Sequence, residues 1–184
     1  MARTESTMEL ELGTEAPDFA LPDVVSGKAV RRDDFRGQNG LLVMFICTHC
    51  PYVKHVENEL AKLGDDYAGK LAIIAISSND AETYPEDSPS GLKEQAQRVG
   101  FRFPYLYDES QNVARAYHAA CTPDFFLFHG NLRLAYRGQF DASRPGSGVP
   151  VTGQDLRAAI DAVLAGQAVA KDQRPSMGCN IKWK

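Results

Sequence analysis

The chain has 184 residues, 43% hydrophobic and 24% charged, with a net charge of −4. That is enough to bury one core and little for two, so one domain over residues 1–184 is expected, with 1–12 as an N-terminal extension and 167–184 as a tail. The acidic balance, with no basic run longer than Arg31-Arg32, argues against a nucleic-acid partner, and the longest apolar run, Leu41 to Cys47, is too short to cross a bilayer.

In chain order, "APDFALPD" and "KAVRRDDF" read as short strands flanking a turn at Ser26-Gly27, an N-terminal hairpin. "LLVMFIC" reads as a central strand buried on both faces. From Pro51 to Tyr67, Val53, Val56, Leu60, Leu63 and Tyr67 recur at steps of three and four, one face of a helix. "KLAIIAISS" is a second buried strand. A polar loop "NDAETYPEDSPSG" follows, with Asp80, Glu82, Glu86 and Asp87 read as solvated, and then a helix "LKEQAQRVG" capped at Gly100. A short helix at Asn112–Tyr117, a hairpin of "DFFLFHG" and "LRLAYRGQF", and a helix "GQDLRAAIDAVLAG" complete the assigned elements. Arg137 reads as an exposed strand residue. The tail "QAVAKDQRPSMGCNIKWK" has no assignment. Strands alternating with helices imply an α/β chain.

The chemistry concentrates in "FICTHCPYVKH". The opening residues "MARTESTMELELG" lack the basic-then-apolar order of a secretion leader, so a cytoplasmic setting is expected, where a close thiol pair is catalytic or metal-binding rather than structural. Cys47 falls where strand gives way to helix, so free N–H groups and the helix dipole favour its thiolate and make it the expected nucleophile. Cys50, inside the first turn and less exposed, is placed to resolve a mixed disulfide on Cys47. Thr48 and His49 lie between them; a protonated His49 favours thiolate over disulfide, whereas an exposed loop histidine does little. Lys54, His55 and Glu57 read as helix-surface residues. Two other readings stand beside this one: half of a zinc site completed by Cys121 and Cys179, and two unreactive buried cysteines.

The stretch "GTEAPDFALPDVVSGKAVRRDDFRGQNGLLVMFICTHCPYVKHVENEL", with "CTPDFFLF", resembles thioredoxin-fold proteins of the alkyl hydroperoxide reductase and thiol-specific antioxidant (AhpC/TSA) superfamily. "SSNDAETYPEDSP", "YRGQFDASRPG" and "PSMGCNIKWK" are similar to a peroxiredoxin-like branch carrying a Cys-x-x-Cys motif. The resemblance implies a thioredoxin-like α/β fold, a central mixed sheet flanked by helices. It also implies a cis bond at Thr122-Pro123, with Pro123 facing the thiols and the backbone of Thr122 free to pair with a substrate segment. Cys121 then reads first as a buried unreactive thiol and second as a third redox thiol.

Departures narrow the activity. Peroxiredoxins carry threonine three residues before the peroxidatic cysteine, where this chain has Met44 before Cys47 and Cys47 before Cys50. Thioredoxins carry tryptophan and a buried acid at positions where this chain has Ile46 and Leu41, so another group must accept the proton. The expected function is thiol-disulfide exchange through Cys47 and Cys50. Its expected partners are protein or small-molecule disulfides and a dithiol reductant, with no cofactor beyond the redox disulfide, no bound metal and no membrane. A thiol peroxidase, with Cys50 or Cys121 condensing onto an oxidised Cys47, is the alternative, and a zinc-stabilised binding module the second.

Overall fold

The computed structural model describes residues 2–184. In chain order the strands and helices are β1 (Arg3–Glu5), β2 (Ala20–Pro22), β3 (Ala29–Arg31), β4 (Gly40–Phe45), α1 (Pro51–Asp66), β5 (Ala72–Ser77), α2 (Pro89–Val99), β6 (Tyr105–Tyr107), α3 (Asn112–Ala116), β7 (Cys121–Thr122), β8 (Asp124–His129), β9 (Leu134–Gly138), α4 (Gln154–Leu164) and β10 (Met177–Asn180). The main sheet runs β6-β5-β4-β8-β9, with β4 parallel to β5 and antiparallel to β8. It is the expected mixed sheet, and β2 and β3 form the expected N-terminal hairpin.

All six residues of β4 are buried, so each face of the sheet carries its own apolar layer. Leu42 and Met44 meet Val53, Val56, Leu60 and Leu63 of α1, together with apolar residues of α2 and α4. Leu41, Val43 and Phe45 meet α3 and the N-terminal segment at Leu10, Ala16 and Phe19 on the other face. The helix periodicity read over Pro51–Tyr67 is thus the buried stripe of α1.

Several local expectations change. Helix α2 starts at Pro89, three residues earlier than expected: Ser88 caps it by accepting from the Gly91 N–H, and Pro89 fills the first position, which needs no donor. Gly100 ends it in the left-handed conformation, as expected. The three-residue β6 has no expectation behind it; it pairs parallel with β5. Arg137 is half-buried and tied to Gln173 and to the Met8 carbonyl, so it joins the two chain ends instead of standing in solvent.

The largest departure is the tail. β10 lies between β1 and β7 as the middle strand of a second, antiparallel sheet. Ser176 donates to the Pro123 carbonyl, and Ser6 and Ser176 exchange two further bonds. Beyond β10, the Lys182 carbonyl accepts from the Asp80 N–H and the Lys182 N–H donates to Asn79. Hydrogen bonds thus tie the tail down from Ser176 to Lys182.

Candidate active site

The strand β4 ends at Phe45, and residues 46–49 form a loop before α1. Cys50 is the N-cap of that helix, with extended backbone angles, and Pro51 is its first residue. The positive end of the helix therefore acts on Cys50 rather than on Cys47, a correction to the expected placement inside the first turn. Exposure hardly separates the pair: both residues are buried, Cys47 at 1% and Cys50 at 0%.

Thr122 and Pro123 close over the pair. The Thr122–Pro123 peptide is cis, as the resemblance implied. The Thr122 hydroxyl stands 3.4 Å from Cys47 Sγ, and a protonated Cys50 donates to the Thr122 carbonyl, also at 3.4 Å. Residues paired across an antiparallel ladder place their side chains on one face, and Cys179 is paired with Thr122. Its thiol consequently reaches the Cys50 sulfur, and Cys47, Cys50 and Cys179 share one apolar cluster. Cys121, next to Thr122, faces the other way and donates at 3.8 Å to the Pro123 carbonyl.

The sulfurs titrate differently. Hydrogen bonding to Cys50, burial and the charge of Asp87 push the Cys47 thiol well above its usual range. Hydrogen bonds from the Cys179 and Cys47 thiols bring Cys50 far below it, against the effect of burial. The Cys179 thiol is pushed up by its bond to Cys50 and by burial, and Cys121 chiefly by burial. Cys50 is thus the proton-poor sulfur among the three clustered cysteines.

A buried carboxylate near the thiols, which Leu41 does not supply, comes from the loop read as solvated. Asp87 is fully buried and accepts from the Thr48 N–H at 2.8 Å, the Thr48 hydroxyl at 2.7 Å and the Asn79 amide at 2.8 Å. His49 Nδ1 stands 2.6 Å from Asp87 Oδ2, and the ring stacks on Tyr84 with centroids 5.2 Å apart. Its Nε2 is buried without a hydrogen-bond partner. Gly91 makes this possible, because a Cβ there would overlap the Glu86 carbonyl and push the Glu86–Asp87 turn off α2. Behind the loop, buried Gln95 holds the Cys47 carbonyl and bridges to Glu57, which pairs with Arg98. Glu57 is therefore not the surface residue expected, and half-buried His55 stands 3.0 Å from the Ser143 hydroxyl.

The fold thus gathers Cys47, Thr48, His49, Cys50, Thr122 and Pro123, and leaves Cys121 outside. Asp87, Gln95 and Cys179 are additions that sequence reasoning missed; the Gly178 before Cys179 was a usable signal. Among the described residues, Cys47, His49 and Asp87 form the one group that could hold a metal ion, each offering an atom within 4.8 Å of the others. Asp87 already accepts three hydrogen bonds, which suits an orienting carboxylate better than a ligand. The four cysteines do not converge on one point, so the four-sulfur zinc site is not built.

Thiol-disulfide oxidoreductase ResA of Geobacillus kaustophilus is 32% identical over 130 residues, 70% of this chain and 68% of that protein. A crystal structure of an uncharacterized conserved protein from Geobacillus kaustophilus superposes with a TM-score of 0.97 at 54% identity, covering 100% of this chain and 97% of that one. A thiol:disulfide interchange protein of the thioredoxin family from Chlorobium tepidum, at 16% identity, shares the fold, with a TM-score of 0.64 over 84% of this chain and 98% of that one. The AhpC/TSA family matches residues 12–139. With this match and a thiol pair set at the end of a central strand, the chain belongs to the AhpC/TSA family, on the thioredoxin fold.

Proposed function

We propose that this thiol-disulfide oxidoreductase works through Cys47 and Cys50, with Cys47 attacking the substrate disulfide and Cys50 resolving the mixed disulfide. The observation that carries this reading is the convergence of both thiols on Thr122 at the Thr122–Pro123 edge, Cys47 at its hydroxyl and Cys50 at its carbonyl. Cys47 attacks because it alone of the pair adjoins His49 and Asp87. Its proton passes to His49, and the imidazolium so formed is held by the Asp87 carboxylate. The Cys47 thiolate then displaces one sulfur of the substrate disulfide. Cys50 attacks Cys47 in the mixed disulfide and releases the second sulfur, leaving a Cys47–Cys50 disulfide for an external dithiol to reduce. Relatives named as thiol-disulfide oxidoreductases support the class of substrate: disulfides, of proteins or small molecules.

The test is turnover of a disulfide substrate such as insulin with dithiothreitol as reductant. Cys47→Ser is expected to lose it, and Cys50→Ser to accumulate a mixed disulfide on Cys47. Wild-type-like turnover in Cys47→Ser would overturn the assignment.

A further inference from the structure

We propose that Cys179 is a third redox thiol of this site, exchanging with the Cys47–Cys50 disulfide at the Cys50 sulfur. The proposal rests on Cys47 and Cys50 being the redox pair. Its geometric basis is the strand β10, which lies on the β7 edge beside the thiols with Cys179 opposite Thr122. Thr122 is the residue whose hydroxyl contacts Cys47 and whose carbonyl contacts Cys50. An extended segment laid on that edge presents a side chain to the pair at this register position, and here the chain supplies the segment itself.

The arrangement is built rather than incidental. Gly178 has no side chain where one would overlap the Thr122 carbonyl and crowd the Pro123 nitrogen. The Ser176 hydroxyl on one side and the Asn79 and Asp80 bonds on the other hold the strand in register. Cys47, Cys50 and Cys179 share one buried apolar cluster, with Cys179 brought to it from a separate strand, so the thiol of the tail lies in the neighbourhood of the pair. A thiol so placed can attack the disulfide and release its other sulfur.

The step conserves electrons. The Cys179 thiolate attacks Cys50 Sγ of the Cys47–Cys50 disulfide, the Cys50–Cys179 bond forms, and Cys47 leaves as a thiolate. The proton lost by Cys179 balances the one Cys47 gains, and nothing is oxidised or reduced overall. Oxidation itself prepares the attack: once Cys50 is in a disulfide it no longer carries the anion whose hydrogen bond and charge hold the proton on Cys179. The exchange moves the disulfide onto the tail strand and returns Cys47 to its His49–Asp87 partners as a free thiol.

The experiment is disulfide mapping of the full chain after treatment with one equivalent of diamide, blocking with iodoacetamide in denaturant, and tryptic mass spectrometry. Cys47 and Cys50 fall on one peptide and Cys179 on another, so the two disulfides differ as a loop within a peptide and a cross-link between two. In Cys47→Ser, and in Cys47→Ala as a second variant, a Cys50–Cys179 cross-link is expected as the dominant disulfide. In the wild type, part of the oxidised protein is expected to carry that cross-link with Cys47 alkylated, and Cys179→Ser is expected to abolish this alkylated fraction. If the wild type forms only the Cys47–Cys50 loop and both Cys47 variants stay reduced or link Cys50 to Cys121, the proposal is overturned while the redox pair stands. If neither disulfide forms, the pair and the proposal fall together.

Discussion

Gly178 lies against the Thr122 carbonyl so closely that a single methyl group would overlap it. The backbone of the tail therefore covers the edge beside Cys47 and Cys50, and both sulfurs are buried beneath it. Gly178→Ala is expected to push β10 off this edge. Overpacking of this kind costs about 1 to 3 kcal/mol, readable as a lower urea midpoint. The same displacement uncovers the thiols, so reaction of native protein with a chromogenic disulfide should accelerate severalfold. An unchanged rate with unchanged stability would show that the tail does not cover the site.

Asp87 acts on Cys47 in two opposed ways, and one substitution separates them. Its charge disfavours the Cys47 thiolate, while its contact with His49 holds the group proposed to take the proton. Asp87→Asn is expected to move the midpoint of Cys47 alkylation to lower pH, because a negative charge is removed from beside a group that becomes negative. Turnover is expected to fall nonetheless, about ten- to a hundredfold, toward the lower end of what a positioned acid–base group contributes. Site-resolved alkylation by mass spectrometry across pH, alongside turnover, reads both. A midpoint that stays put or moves to higher pH contradicts the electrostatic account.

The sheet and its helices were readable because their signals are local. β4 and β5 are apolar runs, α1 shows its buried stripe at steps of three and four, and Gly100 marks its helix end. The Cys-x-x-Cys motif and Thr122-Pro123 were readable for the same reason, once the resemblance joined them. The tail was not: β10 has mixed polarity and takes its partners from Arg3–Glu5 and Cys121–Thr122, at distant points of the chain. Asp87 was misread because a carboxylate among Glu86, Ser88 and prolines looks solvated. Its burial depends on Thr48, His49 and Asn79, which local pattern does not bring to it.

Asp141 organises the loop before α4. It accepts from the Ser143 N–H at 2.9 Å and from the N–H groups of Thr152 and Gly153 at 2.8 and 2.7 Å. Burial works against its ionisation, but the bonds from Ser143, Gly153 and Thr152 outweigh it and hold the carboxyl below its ordinary value. The stability it contributes is therefore present above the unfolded pKa of about 3.9 and lost as pH falls through the lower folded value. Asp141→Ala leaves buried donors unpaired and is expected to cost about 3 kcal/mol at pH 7. The loss should shrink toward pH 3; a loss that does not change with pH would show that the charge is irrelevant.

Asp124 shows the opposite sign. It opens β8 opposite Phe45, is 1% exposed, and its Oδ2 has no partner. Burial pushes its carboxyl well above the ordinary range, so it stays protonated in the fold while the unfolded chain ionises it. The folded state then binds the extra proton, and stability falls as pH rises above about 3.9, by about 1.4 kcal/mol per pH unit until the folded carboxyl itself ionises. Asp124→Asn keeps the shape and cannot ionise. Its stability relative to wild type, measured by urea unfolding at fixed ionic strength, is expected to grow by that slope from pH 4 upward. A difference that stays flat across that range would mean that Asp124 is ionised in the folded protein and that the strand end accommodates its charge.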